Sequence, residues 1–122
     1  MYQLQLNQPT NRVHIILSGS FDEAQAKKLF DEVSVRIQEL PGKIQVLCDV
    51  SQLDTFDRSA RKYYGCFMDL CHAHGTSKVI RIVTESGNDF GLNVMSCFHF
   101  PQTPVITCRT HEEAQKHTER LA

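Results

Sequence analysis

The sequence lacks several features that would assign a protein class at once. No apolar run approaches the roughly 20 residues that a helix needs to cross a bilayer. The first residues, Met1 to Gln5, show neither the basic region nor the apolar core of a secretory signal peptide. The five cysteines are odd in number and do not follow the spacing of a disulfide scaffold. These absences predict a cytoplasmic protein without a membrane span.

The sequence also lacks an excess of charge of either sign. Thirteen basic residues stand against fourteen acidic ones, so the formal net charge is only −1 and gives no electrostatic reason to expect nucleic acid as a partner. Hydrophobic residues at 41% and charged residues at 22% are typical of a globular protein with a buried core. With 122 residues, no internal repeat and no break in composition, we expect one domain over residues 1–122.

The apolar periodicity alternates between strand and helix along most of the chain. It predicts two opening strands, then helix and strand in turn, giving five strands and four helices. Such alternation is typical of an α/β fold with a mixed, mostly parallel sheet. The predicted strands cover 4–6, 13–17, 44–48, 79–83 and 104–108, and the predicted helices cover 22–40, 60–74, 90–98 and 110–121.

The segment from Asp49 to Arg61 is the candidate functional region. It follows the strand that ends at Cys48 and leads into the second helix, and loops at the carboxyl ends of strands are where α/β proteins usually bind ligands and partners. We expect a loop from Ser51 to Asp57. Two further local signals are a turn at residues 19–21 and capping boxes that begin the first and last helices.

Four short motifs in this order resemble the STAS domain, the family of anti-sigma factor antagonists and SpoIIAA-like regulators. Gly19-Ser20-Phe21-Asp22 is similar to the turn before the family's first helix, and Asp49-Val50-Ser51-Gln52-Leu53 to its Asn/Asp-hydrophobic-Ser strand end. Phe56-Asp57-Arg58-Ser59-Ala60 falls where the family has hydrophobic-Asp-Ser-Ser/Thr-Gly, and the ending from Val105 to Glu113 also fits. The resemblance covers nearly the whole chain and implies a non-enzymatic, STAS-like regulatory domain.

The sequence departs from the family at the position that matters most for regulation. In the antagonists, the serine directly after the aspartate accepts a phosphate from a partner kinase, and that position here is Arg58. Ser59 matches the second hydroxyl position, so it would accept a phosphate only after a one-residue shift, which turns a helical side chain by about 100°. Docking without the usual serine phosphorylation is therefore the main expectation.

The residues from Ser51 to Lys62 have two interpretations that the sequence leaves open. Asp57 either caps the second helix or faces a partner. The basic residues after it form either an anion-binding or acidic-partner surface or a solvated face. The predicted partner-binding residues are Ser51, Asp54, Asp57, Arg58, Ser59, Arg61 and Lys62.

Metal binding and catalysis receive little support from the spacing of candidate ligands and nucleophiles. Cys66, Cys71, His72 and His74 do not share one helical face, so one helix cannot gather them around a metal ion. Cys97 and His99 are a candidate nucleophile and base. Residues so close along a helix point apart, however, and their aromatic context is typical of core packing. We expect no catalytic residue, no metal and no cofactor.

A binder of small apolar or anionic ligands is the alternative function. Its predicted pocket consists of Phe90, Met95, Phe98 and Phe100, with Arg58 or Arg61 holding an anionic head group. The other interpretation of these side chains is core packing. The preferred partner remains a protein, either a kinase-like anti-sigma factor or another regulator, and a homodimer is left open.

Overall fold

A five-stranded sheet in the order β1-β2-β3-β4-β5 forms the centre of this computed structural model, which describes residues 1–8, 10–83 and 103–119. The first two strands are antiparallel, and every later neighbour pair is parallel. The predicted mixed, mostly parallel sheet of five strands is confirmed. The strands are β1 (Tyr2–Asn7), β2 (Arg12–Phe21), β3 (Ile44–Phe56), β4 (Thr76–Ile82) and β5 (Val105–Cys108).

Three α-helices occur in the described residues, one fewer than the four predicted. They are α1 (Glu23–Arg36), α2 (Arg61–His74) and α3 (His111–Glu119), with short 3-10 turns at Ile37–Glu39 and Arg58–Ala60. The remaining predicted helix, over 90–98, lies outside the described residues. None of the helices within the described ranges is long and apolar enough to cross a bilayer.

One face of the sheet carries the main core, against which α1 and α2 pack. The apolar stripe of α1 is buried at Ala26, Leu29 and Val33, because spacings of three and four place these side chains on one side of the helix. One face of α2 is buried in the same way. The sheet residues of this core include Val13, Ile15, Leu17, Val46, Cys48 and Val50.

The other face of the sheet carries a second, smaller core beneath α3. Leu47, Ile80 and Ile82 alternate with the residues that point to the first face, and they pack with Cys108 and with Ala114 of α3. Because both faces are covered, β4 is buried on both sides, as its two-sided apolar sequence predicts.

Helix ends follow the predicted capping signals. The Asp22 carboxylate accepts a hydrogen bond from the Gln25 backbone N–H at 2.9 Å at the start of α1. Thr110 accepts one from the Glu113 N–H at 3.1 Å at the start of α3. Gly75 ends α2 with a positive φ of 105°, a conformation that glycine adopts without a Cβ clash.

The predicted turn at residues 19–21 and the predicted loop from Ser51 to Asp57 are both wrong. β2 continues to Phe21 and β3 to Phe56, and the two ends pair as Ser20 with Thr55 and Phe21 with Phe56. Register shifts between Ile16 and Ser18 and between Gly19 and Ser20 absorb the irregular sequence, since a bulge lets a strand continue past a residue that does not fit the ladder. The connection to α2 therefore begins only at Asp57.

Candidate functional site

The end of β3 and the start of α2 present a continuous set of exposed polar side chains. We call this set the docking surface and define it as Asp54, Asp57, Arg58, Ser59, Arg61 and Lys62, all of which are exposed. Six of the seven predicted partner-binding residues are thus brought together at the carboxyl end of a central strand. In α/β sheets this is the usual edge for binding.

Ser51, the seventh predicted residue, belongs to a different environment. It is half-buried, and its hydroxyl donates to Oδ1 of Asp49 at 2.6 Å. Its backbone N–H donates to the same oxygen at 2.9 Å. Since both of its donors are directed at Asp49, Ser51 shapes the end of the strand and is not part of the docking surface.

A cluster of aromatic rings, three buried and one half-buried, supports the docking surface from below. The Phe21 ring stacks on Phe56 with centroids 5.4 Å apart, and Tyr64 meets both rings edge to face. Phe67 lies 5.4 Å from Tyr64 between ring centroids. We call Phe21, Phe56, Tyr64 and Phe67 the aromatic cluster. It joins the ends of β2 and β3 to α2, so the backbone under the docking surface is held in place.

Asp57 occupies the position of a helix cap, but its side chain does not act as one. Its backbone is extended, at φ −63° and ψ 142°, and its carbonyl accepts from the Ala60 N–H at 3.0 Å. Its carboxylate accepts no capping hydrogen bond from the described residues that follow it. The capping interpretation of this side chain is therefore wrong, and the exposed carboxylate is available to a partner.

This difference between Asp22 and Asp57 gives a stability prediction. We expect Asp22→Ala to lower the free energy of unfolding by about 1 kcal/mol, because a true cap is lost. Asp57→Ala should change it by less than about 0.5 kcal/mol, as for most exposed substitutions. Urea denaturation of both variants measures the contrast, and an equal loss in the two would contradict the geometry described for Asp57.

The docking surface carries three cations and two carboxylates. Arg58, Arg61 and Lys62 project from the 3-10 turn and the first residues of α2, and all three are exposed. The Lys62 ammonium lies 5.7 Å from the centroid of the Tyr63 ring, a distance suited to a cation–π contact. The excess of positive charge, next to the N-terminus of a helix, favours an acidic partner.

Two of the described cysteines, Cys48 and Cys71, are buried in the main core. The Cys48 sulfur lies 3.1 Å from the Tyr64 hydroxyl, and burial raises the pKa of Cys48 to about 11. Burial also raises the pKa of Cys71. A thiol kept protonated in this way is a poor nucleophile. Within the described part of the chain, no three His, Cys, Asp or Glu side chains come together to hold a metal ion.

A second polar cluster, which the sequence reasoning missed, lies on the opposite face of the sheet. Asp49 is buried, with only 3% of its surface exposed, and its Oδ2 lies 2.7 Å from Nε2 of His111 at the start of α3. His14 of β2 lies close to both. Burial lowers the pKa of His14, and the Asp49 carboxylate opposes part of that shift. Alternation along β2 and β3 could have placed His14 and Asp49 on one face, but no local pattern relates them to His111.

The predicted apolar pocket at Phe90, Met95, Phe98 and Phe100 lies outside the described residues, as do Cys97 and His99. The alternative of an apolar ligand site at these positions stays a prediction.

Comparison with known proteins identifies the fold. No family model matches the sequence, and no curated protein matches it. The structure of the anti-sigma factor antagonist SpoIIAA in its unphosphorylated form does match, with a TM-score of 0.65 at 18% identity over the whole of both chains. The chain has a SpoIIAA-like fold. The STAS-like architecture expected from the four short motifs is thereby confirmed.

Two further structures agree with the SpoIIAA-like assignment. The Bacillus cell fate determinant SpoIIAA in its phosphorylated form gives a TM-score of 0.64 at 17% identity, covering 96% of this chain and 98% of that one. An uncharacterized DUF3478 protein with a SpoIIAA-like fold from Shewanella loihica PV-4 gives 0.68 at 13% identity, covering 97% and 92%. At such identities the likeness concerns the SpoIIAA-like fold, and the function must be argued from the residues of this chain.

Proposed function

We propose that this SpoIIAA-like domain is a non-enzymatic regulator that binds a protein partner through the docking surface. The observation that carries the proposal is the exposed, mixed-charge set of side chains at the end of β3 and the start of α2, which lies on the aromatic cluster. A rigid base lowers the entropy lost when a surface of this kind binds. The SpoIIAA protein of known structure is itself an anti-sigma factor antagonist, which agrees with a regulatory function.

The chemistry of the docking surface favours a partner segment that carries carboxylates. Arg58 and Arg61 supply planar guanidinium groups that bind carboxylates through two parallel hydrogen bonds. Asp54 and Asp57 add negative charge at the same place and restrict which partners fit, because like charges in register are unfavourable. Binding through such groups weakens as salt concentration rises.

The proposed docking differs from the family's phosphate switch. Arg58 stands where the antagonists have their phosphoacceptor serine, so we propose that the partner binds without serine phosphorylation at that position. The exposed Ser59 hydroxyl in the 3-10 turn supports a secondary route, in which a partner kinase modifies the next residue. A phosphate there would add negative charge beside Arg58 and Arg61 and weaken the affinity for an acidic segment.

Charge reversal at the docking surface tests the proposal. A pull-down from the native host identifies a partner, and calorimetry with that partner then gives the affinity. We expect Arg58→Glu combined with Arg61→Glu to weaken binding by at least about tenfold, which corresponds to 1.4 kcal/mol. Mass spectrometry of the captured domain shows whether Ser59 carries a phosphate, and an unmodified Ser59 in a domain that still binds and releases would end the secondary route.

The matched control reverses two exposed charges on a different helix. Lys27→Glu combined with Lys28→Glu changes the net charge by the same amount, on the exposed side of α1. We expect this control to retain the wild-type affinity. If both double variants lose affinity equally, the effect comes from net charge, and the docking surface has no special part in binding. Circular dichroism confirms that each variant is folded.

A further inference from the structure

A cavity of about 210 Å³ opens on the second face of the sheet, at the end remote from the docking surface. Arg12 pairs with Gln45 at the start of β3, whereas Phe21 pairs with Phe56 at its end. The ten residues of β2, at about 3.3 Å each, separate these ends by about 30 Å. The cavity is lined by Arg12, His14, Leu47, His111, Ala114 and Gln115.

Two of the residues that line this cavity carry enclosed polar atoms without a hydrogen-bond partner in the described part of the chain. Arg12 Nε and His14 Nε2 are enclosed and have no hydrogen-bond partner among the described residues. Gln45, the neighbour of Arg12 on β3, has an enclosed Oε1 that also lacks a partner within the described ranges. Buried polar groups are nearly always paired in native proteins, so orphans gathered on adjacent strands indicate a ligand or bound water that completes them.

The charge at the cavity is also uncompensated. Asp49, the carboxylate that acts on His14, is already engaged, since its Oδ1 accepts from Ser51 and its Oδ2 contacts His111. Arg12 forms no ion pair with any described residue. A half-buried guanidinium without a counter-ion is unfavourable, and burial lowers the pKa of Arg12 for the same reason. An anion in the cavity would relieve that cost.

We propose that this cavity binds a small oxyanion, the phosphate or carboxylate group of a small molecule. Arg12 holds the oxyanion with its guanidinium, His14 donates from its imidazole, and His111 and Gln115 border the opening. The volume of about 210 Å³ corresponds to the space of about seven water molecules at 30 Å³ each, which is room for a phosphate-sized group. This binding is independent of the docking surface, which lies at the other end of β2.

Titration with inorganic phosphate, and separately with acetate, tests the site by two-dimensional NMR of the amide groups at constant ionic strength. We expect saturable shifts at Arg12, His14, Leu47 and His111. Tighter binding of phosphate assigns the site to phosphorylated compounds, and tighter binding of acetate assigns it to carboxylates. The absence of saturable shifts with both anions would overturn the proposal.

Arg12→Met separates a built site from general attraction to positive charge. It keeps an aliphatic stem but removes the charge and donors, and we expect it to weaken anion binding by at least about tenfold. Arg36→Met removes a guanidinium from α1, where Arg36 pairs with Glu32, and should leave binding unchanged. Equal losses in both variants would contradict the proposal. If Arg12→Met does not fold, His14→Gln serves instead, with an expected loss of at least about threefold.

Partner binding distinguishes this proposal from the one for the docking surface. Arg12→Met should retain the affinity for the protein partner, and the Arg58→Glu and Arg61→Glu double variant should retain the affinity for the anion. If either variant loses affinity for both the protein partner and the anion, the two surfaces are coupled, which contradicts the proposed independence.

Discussion

Replacing Phe21 with alanine is expected to lower the free energy of unfolding by about 3–5 kcal/mol, the usual cost of removing a buried aromatic ring. Phe21 has no exposed surface, and it contacts both Phe56 and Tyr64 in the aromatic cluster. Its removal leaves a cavity between the ends of two strands and α2. The total free energy of unfolding of a small domain is only about 5–15 kcal/mol, so the loss expected for Phe21→Ala is a large fraction of it.

The same substitution should also affect the docking surface. The Phe21 carbonyl accepts a hydrogen bond from the Asp57 N–H at 3.0 Å, and Phe21 pairs with Phe56 at the end of β3. Loss of the ring destabilises this hydrogen bond and the pairing of the two strand ends. We therefore expect faster hydrogen exchange at the Asp57 amide and weaker partner binding in Phe21→Ala. Urea denaturation and exchange measured by NMR report the two effects separately.

Two variants serve as controls for the Phe21 prediction. Val35→Ala, at a side chain that is 72% exposed, should change stability by less than about 0.5 kcal/mol. Phe21→Leu keeps most of the apolar volume and should cost about 1.5 kcal/mol or less. A loss under 1 kcal/mol for Phe21→Ala would show that neighbouring side chains collapse into the space, and the aromatic cluster would then not be the support described above.

The buried faces of α1 and α2 and the caps at the starts of α1 and α3 could be predicted because their signals are local. The spacing of Ala26, Leu29 and Val33 fixes the buried side of α1 within a few turns. Asp22 and Gly75 mark helix ends through contacts with residues only a few positions away. Such features depend on sequence neighbours alone, and the sequence contains all of that information.

The ends of β2 and β3 could not be predicted for the opposite reason. Gly19 and Ser20 have the composition of a turn, and so do the residues from Ser51 to Asp57. Pairing across the sheet, such as Thr55 Oγ1 donating to Ser20 Oγ at 2.9 Å, favours the strand conformation. That interaction joins residues far apart in sequence, so propensity alone favours the wrong structure.

Of the two candidate sites, the docking surface could be predicted from local sequence, whereas the cavity at Arg12 could not. The exposure of Arg58, Arg61 and Lys62 follows from their place after the end of β3 and at the start of α2, and the sequence predicts it. The approach of His14 and His111 to Asp49 depends on which strands are neighbours and where α3 crosses the sheet. Alternation along β2 and β3 is enough to place His14 and Asp49 on one face, but no spacing along the chain relates them to His111, so the sequence does not predict the cavity at Arg12.

Asp49→Ala is the second substitution with a large expected effect, a loss of about 2–3 kcal/mol in the free energy of unfolding. Its Oδ1 accepts two hydrogen bonds from Ser51, and its Oδ2 contacts His111, while the side chain is only 4% exposed. Alanine would leave the Ser51 donors without an acceptor in a partly buried place. It would also remove the link between β3 and the start of α3.

Two matched variants show which contact of Asp49 matters more. The side chain of His111 is 64% exposed, so water screens its contact with Asp49, and His111→Ala should cost less than about 1 kcal/mol. Asp49→Asn retains an oxygen acceptor for Ser51 and should fall between the other two variants. Urea denaturation at pH 7 measures the order, with the Ser51 amide shift as a local probe. If His111→Ala costs as much as Asp49→Ala, the contact with α3 carries the stability, and the hydrogen bonds from Ser51 contribute little.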